Sequence, residues 1–457
     1  MKIHMWTIVF CWLLVCCSKT ESPAPTPPEP PVSKDPPQYG VPFAAVPDAR
    51  DAVIYQVNIR AFSEKANFKG VQERLDSIRA LGVNVLYLMP VYPVGKLQSV
   101  NSPYCVQDFT KVNPEFGNLD ELRSLVAAAH DRNMTVLFDW VANHSSWDNP
   151  WTSNKSWYQQ DAAGNIISPP NTGWNDVAQL NYKNAEMRLA MISAMKYWVY
   201  TANIDGYRCD AADFIPADFW KQAIDSLRAI NTHKLLLFAE GTRKDHFAAG
   251  FQLEYGMGFY YNMVNNIYQK KGPVLSIDSV NQVEYTNASS GSQVVRYTSN
   301  HDVNNADGTP LQLLDGEKGS LAAFVTASCM NAVPMIYNGQ EVGCPVKLNY
   351  FNSSTTINWN LNADIKAKYK AVLAARNSSD AIRRGTLQSY STRDVCAFTK
   401  IYQGKTVLVL VNLRNSTTSY EVPAIAERNW KDLLNSASLN LDATVTLEPY
   451  QYLLLGD

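Results

Sequence analysis

Four short islands in this sequence gather residue types that can move protons and attack carbon. They are Asp139-Trp-Val-Ala-Asn143-His144, Gly206-Tyr-Arg208-Cys-Asp210, Phe238-Ala-Glu240 and Ser299-Asn300-His301-Asp302. Each begins in or beside an apolar run and ends on polar groups, the pattern of a buried strand opening onto a loop. Together they supply three carboxyls (Asp210, Glu240, Asp302), two imidazoles (His144, His301) and one guanidinium (Arg208). One carboxyl that gives a proton, with another that attacks or activates water, is what cleavage of a glycosidic bond requires. A lone aspartate at a strand end is more often a cap or loop residue. Three carboxyls, each with its own polar companion, favour the catalytic reading.

The elements that must position these groups alternate along the chain. Strand-like runs are expected at 53–57, 83–88, 135–138, 204–208, 235–239, around Phe259, at 294–298 and at 334–337. Helical spacing predicts covering helices over 71–81 and 119–130. Eight strand–helix units predict an α/β chain folded as a (β/α)8 TIM barrel, whose pocket forms at the C-terminal ends of the strands. Asp210, Glu240 and Asp302 would then end or follow the fourth, fifth and seventh strands. After the third strand, residues 144–176 are too long and irregular for an ordinary connection and predict a small inserted subdomain. Beyond about Arg384, alternating runs at 395–402, 406–411 and 450–455 predict a C-terminal antiparallel β-domain. The expected organisation is a signal segment at 1–17, a tether at 18–43, barrel at 44–143 and 177–380, the insertion at 144–176, and the β-domain at 381–457.

Bulk properties narrow the partners. With 46% hydrophobic and 18% charged residues the composition is ordinary for a globular chain. A formal charge of −2 gives no electrostatic case for nucleic acid or an anionic membrane. Trp140, Trp147, Trp151, Trp157 and Trp174 crowd one stretch; aromatic faces suit sugar rings, although they also fill cores. Lys2 precedes an apolar run from Trp6 to Val15 that is too short to span a bilayer. Its end, Leu13-Leu14-Val15-Cys16-Cys17, resembles a bacterial lipoprotein cleavage box. Cys17 is the favoured lipid acceptor over Cys16, and a plain secretory signal is the alternative. Ser22 to Pro37 carries eight prolines, a composition for an extended tether. Past the anchor, Cys105, Cys209, Cys329, Cys344 and Cys396 are scattered and odd in number, so no disulfide framework is implied.

The islands resemble those of the α-amylase family, glycoside hydrolase family 13. Ser102-Pro-Tyr104-Cys-Val-Gln-Asp108-Phe, Asp176-Val-Ala-Gln-Leu-Asn181, Ile54-Tyr-Gln-Val and Ile336-Tyr-Asn-Gly-Gln-Glu341 extend the likeness in the right order. The resemblance implies that Asp210 is the nucleophile of a retaining glycosidase, Glu240 the acid and base, and Asp302 the residue that binds and strains the sugar. Retention places the first two roughly 5–5.5 Å apart. Arg208 would keep Asp210 ionised, and desolvation would keep Glu240 protonated. His144 and His301 would donate to the sugar, and Tyr104 would stack on it. Asp139 and Asp108 would brace the site, and Asn143 would either brace it or bind metal.

No cofactor is expected. Typical relatives hold a structural Ca²⁺ beside the insertion, but Gln179 stands where they have Asp, so no conventional site is expected there and Ca²⁺ elsewhere is left open. The Lys-His pair that often follows the nucleophile is replaced by Asp213-Phe214. The N-terminal box implies export and a lipid anchor in a membrane, and the family resemblance implies an enzyme whose partners are α-1,4-glucans, with endo action preferred. Exo-acting or maltogenic hydrolysis and transglycosylation are rivals within the family. A non-catalytic glucan-binding surface protein is the rival from another class, disfavoured because all three carboxyls are retained.

Overall fold

Eight parallel strands close on themselves: Ile54–Val57, Val85–Leu88, Thr135–Val141, Gly206–Asp210, Leu236–Ala239, Leu253–Tyr255, Gln293–Tyr297 and Val333–Tyr337. The first strand pairs with both the second and the eighth, Ile54 standing opposite Val85 and Met335, and that completes the cylinder. This computed structural model describes residues 35–457. The expected signal segment, its Cys16 and Cys17, and the tether up to Lys34 lie outside the described residues.

Strands form here because β-branched and aromatic runs are buried on both faces, by the barrel interior and by the outer helices. The fourth strand shows the alternation. Tyr207 points outward and donates to the carbonyl of Met195 on a covering helix at 2.5 Å, while Arg208 and Asp210 point inward. Gly206 starts this strand because a Cβ there would lie 1.9 Å from the backbone oxygen of Leu236 on the fifth. Close approach of the two strands therefore requires glycine.

Two expectations need correction. The sixth strand is Leu253–Tyr255, and Phe259 lies in the helix Met257–Tyr261 that follows it. The helix expected over 71–81 is two pieces, Phe68–Gln72 and Leu75–Ala80. Arg74 leaves the helical conformation between them, and its guanidinium lies 4.2 Å from the Trp359 ring. By contrast, Leu119–His130 is continuous and begins with a capping box between Asn118 and Glu121.

The insertion is closed by its own ribbon, in which His144–Ser146 pairs antiparallel with Val177–Gln179. At the C-terminus a six-stranded sheet includes the hairpin Val395–Tyr402 and Lys405–Asn412. Its turn, Gln403-Gly404, has φ of 47° and 77°, the geometry that matches strand twist. The last part of the expected tether is docked on the barrel. Phe43 stacks on His130 at 4.3 Å, and Arg123 lies 4.0 Å over Tyr39. Aromatic residues give this end apolar surface to bury.

Candidate active site

Arg208 is the centre around which the islands meet. It is fully buried inside the barrel, and its Nη1 donates to Asp139 Oδ1 at 2.6 Å and to Asp210 Oδ1 at 3.0 Å. Its Nη2 stands 2.6 Å from Glu240 Oε1, an ion-pair contact whose angle does not make a hydrogen bond. One guanidinium thus holds a carboxylate against each terminal nitrogen. Asp139 has no exposure and takes further hydrogen bonds from the hydroxyls of Tyr87 (2.6 Å) and Tyr104 (2.9 Å). It fixes Arg208 from beneath and is walled off from the cleft.

Glu240 is tied to the fourth strand through the main chain. Its Oε2 accepts from the Ala211 N–H at 2.7 Å, its own N–H donates to the Cys209 carbonyl, and its carbonyl accepts from Ala212. Ala211 adopts a left-handed φ of 46°, which costs a non-glycine residue on the order of 1–3 kcal/mol and marks a constrained turn. Burial first, then the Glu240 charge, push the Asp210 carboxyl well above the ordinary range, and Arg208 opposes both. Both Glu240 oxygens face donors, the Arg208 guanidinium at one and the Ala211 N–H at the other.

Asp302 opens half-exposed onto the same cleft, and burial of its surroundings raises it to about 6. His301 beside it is buried and held down at about 4 by desolvation, so its ring is neutral at pH 7. Its Nδ1 meets the Gln56 amide nitrogen at 2.8 Å and its Nε2 the Tyr104 hydroxyl at 2.7 Å. Since the Tyr104 proton goes to Asp139, Nε2 carries the histidine proton and Nδ1 accepts from Gln56. His144 is also held at about 4 by burial, and its Nδ1 accepts from the Asn143 amide at 3.2 Å.

A cleft of about 610 Å³ joins these groups, with Tyr104, His144, Asp210, Glu240, His301 and Asp302 all on its wall. Of the residues singled out in the sequence, Arg208, Asp139 and Asn143 stand directly behind that wall. Asp108 does not join them. Its carboxylate is spent on the N–H and hydroxyl of Thr110 and on Lys111, a local turn that touches none of the site residues. The cleft also has walls that sequence reasoning missed. Tyr350 packs edge-on against Tyr104 and His301, and Phe351 stacks on Tyr350. Both come from the loop after the eighth strand, and an aromatic pair in an otherwise polar loop was the available signal. Trp174 of the insertion packs on His144 and on Phe214 at 5.6 Å each.

Comparison with known proteins bears directly on this arrangement. The alpha amylase catalytic domain, as a family pattern, matches residues 56–165 and 171–421, well over half of the chain. The chain belongs to the alpha-amylase family. Alpha-amylase MalA of Haloarcula japonica is 25% identical over 439 residues, which cover 89% of this chain and 62% of that protein. Alpha-amylase 2 of Dictyoglomus thermophilum is 26% identical over 374 residues, covering 76% of this chain and 64% of its own length. The chain thus spans somewhat under two thirds of the length of these curated relatives. The crystal structure of an alpha-amylase from Lactobacillus plantarum shares the fold with a TM-score of 0.81 at 24% identity, covering 90% of this chain and 99% of that one.

Within this family the implied calcium position is bordered here by Asn143 and Gln179. Asn143 donates its amide N–H to His144, and Gln179 is neutral and half-buried on the closing ribbon of the insertion. Two uncharged amides do not fit a hard divalent cation, which seeks several oxygens including carboxylate. Among the described residues, no three or more His, Cys, Asp or Glu gather in a way that could hold a metal.

Proposed function

We propose that the chain is a retaining glycoside hydrolase that cuts α-1,4-linked glucans such as starch and maltooligosaccharides, acting within chains. One observation carries this reading: Asp210 and Glu240 meet at the two ends of a single buried guanidinium, with Asp302 on the same cleft. In this reading Asp210 attacks the anomeric carbon while the glycosidic C–O bond breaks, and Glu240 delivers its proton to the departing oxygen. Glu240 then takes a proton from water as that water displaces Asp210, restoring the configuration. Asp302 accepts from ring hydroxyls, and His301 and His144 supply neutral imidazoles beside it.

Turnover needs a proton on Glu240 and the ionised form of Asp210, and the Arg208 guanidinium beside Asp210 favours the latter. Action within chains is supported by Trp174 and Phe214. They are 37% and 55% exposed at the cleft's rim and offer ring faces to sugar units beyond the one being cut. The names of the relatives above, both alpha-amylases, agree with it.

A reducing-sugar assay on soluble starch tests the reading. Early products of mixed length support internal cleavage, whereas glucose or maltose alone from the first time point overturns it. Asp210→Asn is expected to lower kcat by at least about 10⁴-fold while maltooligosaccharide binding persists. Substantial residual turnover would remove Asp210 from the nucleophile role. The exported, lipid-anchored setting belongs to the same proposal and rests on Leu13 to Cys17. Full-length protein that stays in the aqueous phase on detergent partitioning would overturn it.

A further inference from the structure

Glu240 is fixed on its strand side by the barrel, and the chain beyond it is fixed by a separate set of contacts. Residues 241–245 leave the fifth strand and lie against residues 211–215, the turn that follows Asp210. Asp213 reaches across and accepts the N–H of Thr242 at 3.0 Å and that of Arg243 at 3.1 Å. Arg243 answers in the opposite direction, its Nη1 donating to the carbonyls of Asp213 (2.8 Å) and Ile215 (2.9 Å). Side chains of each loop thus satisfy main-chain groups of the other. His246, at the start of the next helix, is fully buried and closes the lacing with a 2.7 Å contact from Nε2 to Asp213 Oδ1. Among the described residues its Nδ1 has no partner, so the ring proton stands on Nε2 and is donated to the carboxylate. Burial raises the Asp213 carboxyl, yet the His246 contact and the two N–H groups hold it below the ordinary carboxylate range. Hydrogen bonds to an ionised acceptor are the stronger kind.

The lacing runs next to the catalytic carboxyls. A Cβ on Gly241 would lie 2.3 Å from Asp213 Oδ1 and 2.6 Å from His246 Nε2, so the residue directly after Glu240 is seated on the pair. Both groups that hold the Glu240 carboxylate, Arg208 and the Ala211 N–H, belong to the fourth strand and its turn. The direction of the Glu240 side chain therefore depends on how its own loop sits on that turn. The left-handed Ala211 also needs neighbours that over-determine it, and Asp213 is two residues on. Neither Asp213 nor His246 lies on the wall of the cleft, where Asp210, Ala211 and Glu240 do. Their action on the reaction must pass through another residue.

We propose that Asp213 and His246 are a positioning pair for the proton donor, seating the loop after Glu240 on the turn after Asp210 and so aiming the Glu240 carboxyl at the departing oxygen. The inference rests on the proposed glycosidase reading, in which Glu240 delivers that proton. It gives the Asp213 that stands in place of the Lys-His pair a task in catalysis without contact to the sugar. A bond whose leaving group departs unaided does not need the pair.

The test compares kcat/KM of the full chain and its Asp213→Ala variant on soluble starch and on a dinitrophenyl maltotrioside, with thermal melts to establish folding. On starch a fall of about 10²-fold is expected, the size of a misplacement of about 1 Å. On the dinitrophenyl glycoside, whose phenolate leaves without a proton, the fall should stay below about tenfold. Asp213→Asn keeps the shape and one acceptor oxygen, and should show the same split at reduced size. If Asp213→Ala does not fold, Asp213→Asn decides by the same criterion. Losses on the aryl glycoside as large as on starch overturn the positioning role, because the damage is then general and not to proton delivery. Unchanged kcat/KM on starch in a folded variant overturns it as well. Failure of the glycosidase reading is separately visible: the unsubstituted chain would release neither reducing ends from starch nor phenol from the aryl glycoside.

Discussion

Arg208 and Arg376 are both buried arginines of one barrel, yet the first is surrounded by carboxylates and the second by carbonyls. At the C-terminal end of the strands, Arg208 touches Asp139, Asp210 and Glu240. At the opposite end, Arg376 donates to the carbonyls of Ser328, Arg50 and Ala332, which close a helix and precede the first and eighth strands. Lys400 of the β-domain lies in the same seam and donates to the Ile382 carbonyl at 2.5 Å. Burial there pulls Arg376 down to about 10 and Lys400 to about 7, and the positive charges of Arg376 and Arg296 lower Lys400 further. The guanidinium at the top opposes the effect of burial on carboxyls that a ligand can reach. The carbonyl cage at the bottom tolerates a cation only to finish backbone hydrogen bonds.

Substitutions at the two ends test that division. Arg208→Leu strands the buried Asp139 and Asp210 and the partly buried Glu240 without a counter-charge, and the largest effect is expected there. Stability falls by about 3–5 kcal/mol, and kcat in the surviving fold falls by about 10²–10³, read by denaturant melts and starch hydrolysis. Arg376→Met removes the donor from three carbonyls and should cost about 3 kcal/mol or more, with kcat/KM at 25 °C unchanged. A kinetic defect in Arg376→Met would break the comparison.

Lys400→Met sharpens it through pH. Unfolded, the lysine keeps its proton to about pH 10, whereas folded it releases it near 7. Between those values the unfolded chain binds one more proton, so stability rises with pH across the window and is lowest below it. The Met variant should therefore have the higher Tm at pH 6–7, with the gap closing toward pH 10. A constant gap would mean that Lys400 does not titrate. The smallest effect is expected at His301→Gln. Because His301 is neutral above about 4, its loss should raise KM severalfold and leave the acid limb of kcat/KM in place. A shifted limb would assign that titration to the histidine.

Seven of the eight barrel strands were legible because each lies in or beside a mainly apolar, buried stretch. The sixth was not: it is three residues long and has Glu254 at its centre. The more apolar stretch around Phe259 forms a helix instead. Site residues at strand ends were legible for the same reason, since a strand fixes where its last side chain points. Asp139 and Asn143 stand in support, whereas Asp108, on a loop, was free to satisfy itself with Thr110 and Lys111. Trp174, Tyr350 and Phe351 reach the cleft from irregular segments, whose path depends on packing that no periodicity reports.

Ala211 has a bearing on how such a protein could diversify. Its amide holds the Glu240 carboxylate, while the amides of Ala212 and Glu240 stitch the ends of the fourth and fifth strands together through peptide groups. The spacing of Asp210 and Glu240 is thereby anchored in the scaffold. Remodelling of the rim around Trp174 or Phe351 would change which polysaccharide is accepted, while the stereochemistry of the released anomer would be inherited unaltered.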